Sequence, residues 1–153
     1  MTDDVAILPR ERHGAYAAHL KRLDQNDRRM RFWVPVGDAA IEAHVARIPE
    51  EAAVFAIMDG DLVAGALEII PSITKDGRID AEFALSVDHD HRGLGMAHRL
   101  VEAAVAWAMA KRVADLFALC LTSNAQMIGL ARAHAMRVDF DGQEAHAHLR
   151  LAA

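Results

Sequence analysis

The chain has 153 residues, of which 53% are hydrophobic and 25% are charged. This is the size and composition of one globular domain, and it excludes an intrinsically disordered chain. The formal net charge of −5 argues against a general nucleic-acid-binding protein, because such domains are usually basic. We therefore expect residues 1–153 to form a single domain with no nucleic-acid partner.

Cysteine content and apolar segments limit the possible locations of the protein. The single cysteine, Cys120, excludes an internal disulfide and a four-cysteine zinc cluster. The start Met1-Thr2-Asp3-Asp4 lacks the basic and apolar regions of a signal peptide. No uncharged stretch reaches the roughly 18 apolar residues that span a bilayer. We expect a cytoplasmic monomer or homodimer with no membrane partner.

The first third of the chain predicts one short strand and two helices. Residues 5–8 form an apolar run that ends before a proline, and they are predicted to be a strand. Apolar residues recur at helical spacing from about residue 11, and again over 38–48. Between these helices, residues 24–31 are polar and rich in arginine, and no core-facing element is predicted there.

The middle and end of the chain predict strands, two further helices and a closing hairpin. Asp-Gly turns at Asp59-Gly60 and Asp76-Gly77 separate three apolar runs, which is typical of an antiparallel meander. The later elements are a helix over 97–112, a strand over 116–121, a helix beginning near Ser123 with capping-box spacing to Gln126, and a hairpin over 138–151. This order predicts a mixed α/β (α+β) domain, with a mostly antiparallel sheet of about seven strands and about four helices.

The loop between the third strand of the meander and the next helix is the most informative segment. A helix N-terminus has backbone N–H groups without partners and a partial positive charge. Small residues at Gly93, Gly95 and Ala97 allow an anion to approach these groups. We therefore predict a phosphate or pyrophosphate site at residues 93–98, to which Arg92 adds a positive charge.

Two common phosphate-binding motifs fit this loop poorly. A dinucleotide fingerprint needs a third glycine where this chain has His98, and it occurs among parallel strands. A P-loop needs Gly-Lys-Ser/Thr, which is absent. A dinucleotide-binding protein is therefore a distant alternative.

The loop does fill the pattern Arg/Gln-x-x-Gly-x-Gly/Ala with Arg92, Gly95 and Ala97. With this motif after a meander, and with Asn124 and Leu130 in the following helix, the chain resembles the GNAT acyl-CoA N-acyltransferases. The segment Ala81-Glu82-Phe83-Ala84 resembles more closely the acetyltransferase domain of bacterial Pat-type protein lysine acetyltransferases. The resemblance covers nearly the whole chain.

The resemblance implies a GNAT fold, acetyl-CoA as the co-substrate and an amine as the acyl acceptor, with no metal. The loop and helix would bind the pyrophosphate of coenzyme A, the strand before them would bind the pantetheine arm through its backbone, and the asparagine would contact that arm. The residues implied in cofactor binding are Leu85, Val87, Arg92, Gly93, Leu94, Gly95, Met96, Ala97, His98 and Asn124. A helix cap is the other interpretation of Asn124.

Glu82 is the predicted catalytic residue. Acyl transfer from a thioester needs a neutral amine, and neutralising a lysine near pH 7 costs roughly 4–5 kcal/mol. A carboxylate near the thioester can accept that proton. Glu82 lies five residues before Val87 on the strand leading to the loop, about 16 Å or less away, and the Pat-type resemblance assigns the general base here. The alternative is a charged residue on a solvated strand face.

Several other positions bear on the chemistry but have simpler interpretations. Ala131 stands where many GNAT members have a tyrosine that protonates the leaving thiolate. The pairs His89/His91 and His146/His148 are spaced like metal ligands but lack an evident third ligand, so no metal site is expected. Arginines 28, 29 and 31 are expected on a solvated helix face, with the 3′-phosphate of coenzyme A or an acidic target as the alternative.

Two functions follow from these observations. The first is an acetyl-CoA-dependent N-acetyltransferase that acts on a primary amine, either a protein lysine or a small molecule. The second is a non-catalytic module that binds acyl-CoA as a sensor. Glu82 favours the enzyme, whereas the missing tyrosine favours the sensor.

Overall fold

The computed structural model describes residues 4–151, so the first three and last two residues of the predicted domain lie outside the described range. The prediction that Met1-Thr2-Asp3-Asp4 lacks the features of a signal peptide therefore concerns mostly residues outside this range. The strands are β1 (Ala6–Ile7), β2 (Ala53–Asp59), β3 (Leu62–Ile73), β4 (Ile79–Val87), β5 (Asp115–Leu121), β6 (Arg137–Asp141) and β7 (Glu144–Arg150). The helices are α1 (His13–Arg22), α2 (Gln25–Phe32), α3 (Asp38–Ala46), α4 (Met96–Ala110) and α5 (Ala125–Ala133).

Within residues 4–151, no helix has the length and apolar character needed to cross a membrane.

The seven strands form one sheet in the order β1-β2-β3-β4-β5-β7-β6. Every neighbouring pair is antiparallel except β4 and β5, which are parallel. Strands β2, β3 and β4 form the predicted meander. The predicted mixed fold with a mostly antiparallel sheet is therefore confirmed.

The described chain has five α-helices, one more than the expected number, because the arginine-rich segment is helical. Asp24 caps α2, and its side chain accepts a hydrogen bond from the backbone N–H of Asp27 at 2.8 Å. None of the eight residues of α2 is fully buried. The apolar spacing that reveals a helix in a sequence was therefore absent, and local capping was the signal available.

Apolar side chains cover both faces of the sheet. On one face, Phe83 of β4 packs in a cluster with Leu100 and Ala104 of α4. On the other face, Tyr16 and Leu20 of α1 pack with Ile41 of α3 and with neighbouring strand residues. Because both faces are buried, the central strands contain runs of apolar residues rather than a polar–apolar alternation.

The sheet separates between its two parallel strands. Strands β4 and β5 pair at only three positions, from Asp80 opposite Asp115 to Glu82 opposite Phe117. Both strands continue beyond this point, β4 to Val87 and β5 to Leu121, where β5 still pairs with β7. The part of β4 after Glu82 therefore lacks a strand neighbour on that side, which opens a gap in the sheet.

Candidate functional site

A cavity of about 760 Å³ opens beside the unpaired part of β4. This volume is typical of a site for a cofactor or a small molecule. It is bounded by α2, by the end of β4, by the N-terminus of α4 and by α5. Nine of the ten predicted cofactor-binding residues line it, namely Leu85, Val87, Arg92, Gly93, Gly95, Met96, Ala97, His98 and Asn124. Leu94 does not line it, and its side chain is half exposed.

The loop before α4 presents backbone N–H groups at the cavity. Gly93 and Gly95 have φ angles of 80° and 78°, in the left-handed region that glycine adopts without strain. Gly95 is the N-cap of α4, and Arg99 donates the first hydrogen bond of the helix to the Gly95 carbonyl at 3.2 Å. The amides of residues 96–98 precede this bond, so they are the unsatisfied donors that the sequence predicts at a helix start.

Arg92 is held by a neighbouring helix. Its guanidinium lies 2.7 Å from the carboxylate of Asp27 on α2, and it donates to the Val87 carbonyl at 3.4 Å. The Arg92 side chain remains one-third exposed. The positive charge of Arg92 therefore lies beside the predicted phosphate site, and Asp27 compensates part of it.

The start of α5 contributes both a cap and a cavity wall. Asn124, and not Ser123, is the N-cap, and its side-chain oxygen accepts a hydrogen bond from Met127 N–H at 3.1 Å. The capping box expected from Ser123 and Gln126 is therefore not formed, because the third residue after Asn124 is Met127, whose side chain cannot return a hydrogen bond to the cap. Asn124 also lines the cavity, so the two interpretations of this residue are compatible. Ala131 is 1% exposed and packs in the core on the α4 face of the sheet.

Glu82 lies at the point where the sheet separates. It is opposite Ile70 of β3 and Phe117 of β5, in the last pair before the gap. It is an exposed residue and does not line the main cavity. Partial burial of its carboxyl raises its pKa, and nearby Glu68 adds to this increase while Arg31 opposes it.

A buried polar network lies behind Glu82. One oxygen of the Glu68 carboxylate, Oε1, is 2.8 Å from the Tyr16 hydroxyl, 2.8 Å from His44 Nε2 and 3.2 Å from the Arg31 guanidinium. Burial favours a higher pKa for Glu68, but its contacts with His44 and Arg31 outweigh this effect and lower the pKa. Glu68 therefore remains an anion that compensates Arg31.

The position of Arg31 contradicts the expected solvated helix face. Its side chain is only 8% exposed, and it donates to the Tyr16 hydroxyl at 3.0 Å. The Arg28 side chain is 14% exposed and donates to the backbone carbonyls of Lys21, Leu23 and Val36. These arginines bury their charge because backbone and carboxylate acceptors meet them there. Arg31 also lines the main cavity.

A second polar network joins α1 to the end of β4. His19 is fully buried, and its Nε2 lies 2.8 Å from the Ser86 hydroxyl while its Nδ1 lies 2.6 Å from Asp88 Oδ1. Arg22 contacts the other oxygen of Asp88 at 3.1 Å. No local sequence pattern predicts this network, because His19 and Ser86 are 67 positions apart. The available signal was a histidine three residues after Tyr16 on an apolar helix face.

Several of the other histidines contact acidic side chains or another histidine. His91 Nε2 is 2.8 Å from Asp59, and His148 Nε2 is 3.1 Å from Asp139. His98 Nδ1, at the cavity, is 3.0 Å from His134 Nε2. Over the described range, no three or more His, Cys, Asp or Glu side chains are grouped as metal ligands would be.

Comparisons with known proteins agree with this geometry. The model of the acetyltransferase (GNAT) family matches residues 17–136. The fold is similar to that of the GNAT domain of S. lividans PAT, with a TM-score of 0.81 and 19% identity over 96% of this chain and 89% of that one. It is also similar to a ribosomal-protein-alanine N-acetyltransferase from Brucella melitensis, with a TM-score of 0.76 and 16% identity over 97% and 99% of the two chains.

A third similar structure is an N-acetyltransferase from Staphylococcus aureus Mu50, with a TM-score of 0.75 and 20% identity over 97% and 98% of the two chains. These identities show a shared fold, while the family model covers most of this chain. The resemblance expected from the sequence is confirmed. The chain belongs to the acetyltransferase (GNAT) family and is a GNAT-type N-acyltransferase.

Proposed function

We propose that this protein transfers an acetyl group directly from acetyl-CoA to a primary amine, with Glu82 as the general base. The observation that carries the proposal is the arrangement of the cavity. The unsatisfied amides at the start of α4 and the unpaired part of β4 face the same space. Glu82 lies where that unpaired part begins.

In the proposed complex, each end of the cavity binds a different part of coenzyme A. The amides and small side chains of residues 93–98 suit a diphosphate, because a helix N-terminus offers both hydrogen-bond donors and a partial positive charge. Leu85 and Val87 offer backbone donors and acceptors to the amides of the pantetheine arm, since β5 does not pair there. Asn124 uses its oxygen as a cap, so its amide nitrogen is the group directed to this arm.

Glu82 is suited to accept a proton from the attacking ammonium. Its carboxyl is partly buried, and the resulting rise in pKa makes it a stronger base than a free glutamate. It does not line the main cavity. We therefore propose that a water molecule transfers the proton between the amine and Glu82, as general bases often do.

The acceptor is proposed to be a primary amine. The resemblance of Ala81-Glu82-Phe83-Ala84 to the Pat-type protein lysine acetyltransferases favours a protein lysine. A small-molecule amine is the other acceptor to test. Both share the group that reacts, an amine that must lose a proton before it attacks the thioester.

The decisive experiment combines binding with turnover. Calorimetry measures the affinity for acetyl-CoA, and a thiol reagent measures the release of coenzyme A with a panel of lysine peptides and small amines. We expect Glu82→Gln to lower kcat/KM by about 10²-fold or more while the affinity is unchanged. The matched control is Glu50→Gln, since Glu50 is an exposed glutamate in the turn before β2.

The same measurements distinguish the sensor hypothesis. If the wild type binds acetyl-CoA and transfers the acetyl group to none of the amines, the protein is an acyl-CoA-binding module. If Glu82→Gln retains full activity, another group is the base. If acetyl-CoA does not bind, the cavity has a different ligand and the proposal is wrong.

A further inference from the structure

The polar network at the end of β4 has the arrangement of a nucleophile, a base and an orienting acid. Ser86, His19 and Asp88 contact one another in that order. We propose that these residues hydrolyse the acyl-CoA thioester when no amine is present, with Ser86 as the nucleophile. The inference rests on the proposed binding of acyl-CoA in the main cavity, and it adds a second reaction there.

Ser86 has access to the place where the thioester arm would lie. It is on β4 between Leu85 and Val87, and all three residues line the main cavity. Ser86 is 9% exposed, so most of its side chain is enclosed and little bulk water surrounds it. A hydroxyl at this place borders the cavity on one side and contacts His19 on the other.

His19 is positioned to act as the base for Ser86. Its Nε2 is 2.8 Å from the Ser86 hydroxyl, which is within the reach required for proton transfer. Its Nδ1 is 2.6 Å from Asp88 Oδ1, and both atoms are shielded from solvent and have no aligned hydrogen-bond partner in the described structure. The contact is short, although poorly aligned for a hydrogen bond. The nearby carboxylate favours the tautomer with its proton on Nδ1, which leaves Nε2 free to accept.

Asp88 is held as a carboxylate. Burial favours a higher pKa for Asp88, but His19 and Arg22 outweigh this and lower the pKa. Arg22 contacts Asp88 Oδ2 at 3.1 Å and also donates to the backbone carbonyl of Val63 at 2.6 Å. Two cationic or donor groups therefore fix the acid that orients His19.

A purely structural role explains the Ser86–His19–Asp88 network less completely than a catalytic role does. The helix α1 already packs on the sheet through Tyr16, Ala17 and Leu20, so a buried histidine is not needed to fill this face. Burying polar groups costs free energy unless they are matched. This network ends at a hydroxyl that lines a cavity, which is the feature that a packing role leaves unexplained.

The proposed hydrolysis consumes only the acyl-CoA and one water molecule. The Ser86 oxygen attacks the acyl carbonyl carbon while His19 Nε2 takes the hydroxyl proton. The carbon–sulfur bond breaks, and the thiolate of coenzyme A takes this proton from Nε2, which leaves an acyl-serine ester. Water then attacks the ester, with its proton moving to Nε2 and from there to the departing Ser86 oxygen. The products are free coenzyme A and a carboxylic acid.

The test measures coenzyme A release from acetyl-CoA in a buffer without primary or secondary amines. We expect the wild type to release it faster than buffer alone, and Ser86→Ala to lower this rate by about 10²-fold. Ser72→Ala is the matched control, because Ser72 is an exposed serine on β3. Acid quenching followed by peptide mass spectrometry is expected to find the acetyl group on Ser86.

A second variant covers the case in which Ser86→Ala folds poorly after losing a buried hydrogen bond. Ser86→Cys retains a nucleophile beside His19, and we expect it to accumulate an acetyl thioester that intact-mass analysis detects. The inference is overturned if Ser86→Ala folds and releases coenzyme A as fast as the wild type. It is also overturned if the wild type binds acetyl-CoA by calorimetry but shows no release without amine, whatever its activity with amines. Absence of binding overturns both this inference and the proposed function.

Discussion

The Arg92 guanidinium and the Asp27 carboxylate lie 2.7 Å apart, and this contact joins α2 to the loop before α4. Both residues line the main cavity. The side chains are 33% and 15% exposed, so the pair is only partly shielded from water. An arginine beside a phosphate site would attract the ligand, and an aspartate beside that arginine would reduce the attraction.

Opposite effects on coenzyme A affinity are therefore expected from the two partners. Arg92→Gln is expected to weaken binding by three- to tenfold, which corresponds to about 1 kcal/mol for a charge-assisted contact. Asp27→Asn is expected to tighten binding by up to about threefold, since Arg92 loses its competing anion. Calorimetry at low and high salt measures both effects, and salt is expected to reduce them. Equal weakening by both variants would show that the pair only holds the loop in place.

Gly95→Ala is expected to reduce both stability and coenzyme A affinity. The φ of 78° costs a residue with a side chain about 1–2 kcal/mol, and the added Cβ would meet only the Arg99 side chain at 3.5 Å. The cost is therefore mainly conformational, and relaxing it would redirect the amides of residues 96–98. Thermal unfolding and calorimetry measure the two quantities.

Gly60→Ala is the matched control for this prediction. Gly60 has a φ of 60° in the turn between β2 and β3, and an added Cβ would meet nothing within 4 Å. We expect a similar loss of stability with unchanged coenzyme A affinity. A fall in affinity as large as that of Gly95→Ala would mean that both substitutions act through global stability.

The pH dependence of acyl transfer is expected to report on Glu82. The base must be ionised, so kcat/KM should fall as the pH decreases through a pKa above that of an ordinary glutamate. Arg31 lowers the pKa of Glu82, so Arg31→Gln is expected to move this acidic limb to higher pH, whereas Arg31→Lys is expected to move it less. An acidic limb that is the same in all three proteins would exclude Glu82 as the titrating group.

Glu68→Gln is expected to destabilise the fold by about 3–5 kcal/mol near pH 7, because it leaves the buried Arg31 without its carboxylate. The lowered pKa of Glu68 means that its contribution is present above the ordinary carboxyl pKa, and is lost as the pH falls through the lowered value. The difference between wild type and variant should therefore shrink at acidic pH. Urea unfolding at several pH values measures it, and a difference that stays constant would contradict the role of the ionised carboxylate.

The sequence was sufficient to predict the parts of the fold that depend on local chemistry. Asp59-Gly60 and Asp76-Gly77 marked the turns of the meander, and Gly93 and Gly95 marked a helix start with open amides. Eight of the predicted cofactor residues line the cavity together because they follow one another along β4, the next loop and the start of α4, and Asn124 joins them from the start of α5.

Residues that act across the fold were not predictable in this way. Arg31 was expected in solvent because its helix lacks apolar spacing, yet Tyr16 and Glu68 meet it from other elements. The contact between His19 and Ser86 likewise depends on the packing of α1 on the sheet. Pattern and propensity describe neighbours in the chain, whereas these contacts are set by tertiary structure.

The interruption of pairing after Glu82 and Phe117 has a mechanical consequence. A ligand with amide groups that fills this gap would act as a substitute for the missing strand and would connect the β1–β4 half of the sheet to the β5–β7 half. Under an applied force, the ligand-bound protein should then unfold as one unit. In the ligand-free protein, β4 and β5 should separate first. Amide hydrogen exchange over residues 83–87 should slow when the ligand binds. The change in β2 should be smaller, because β2 does not border the gap between β4 and β5.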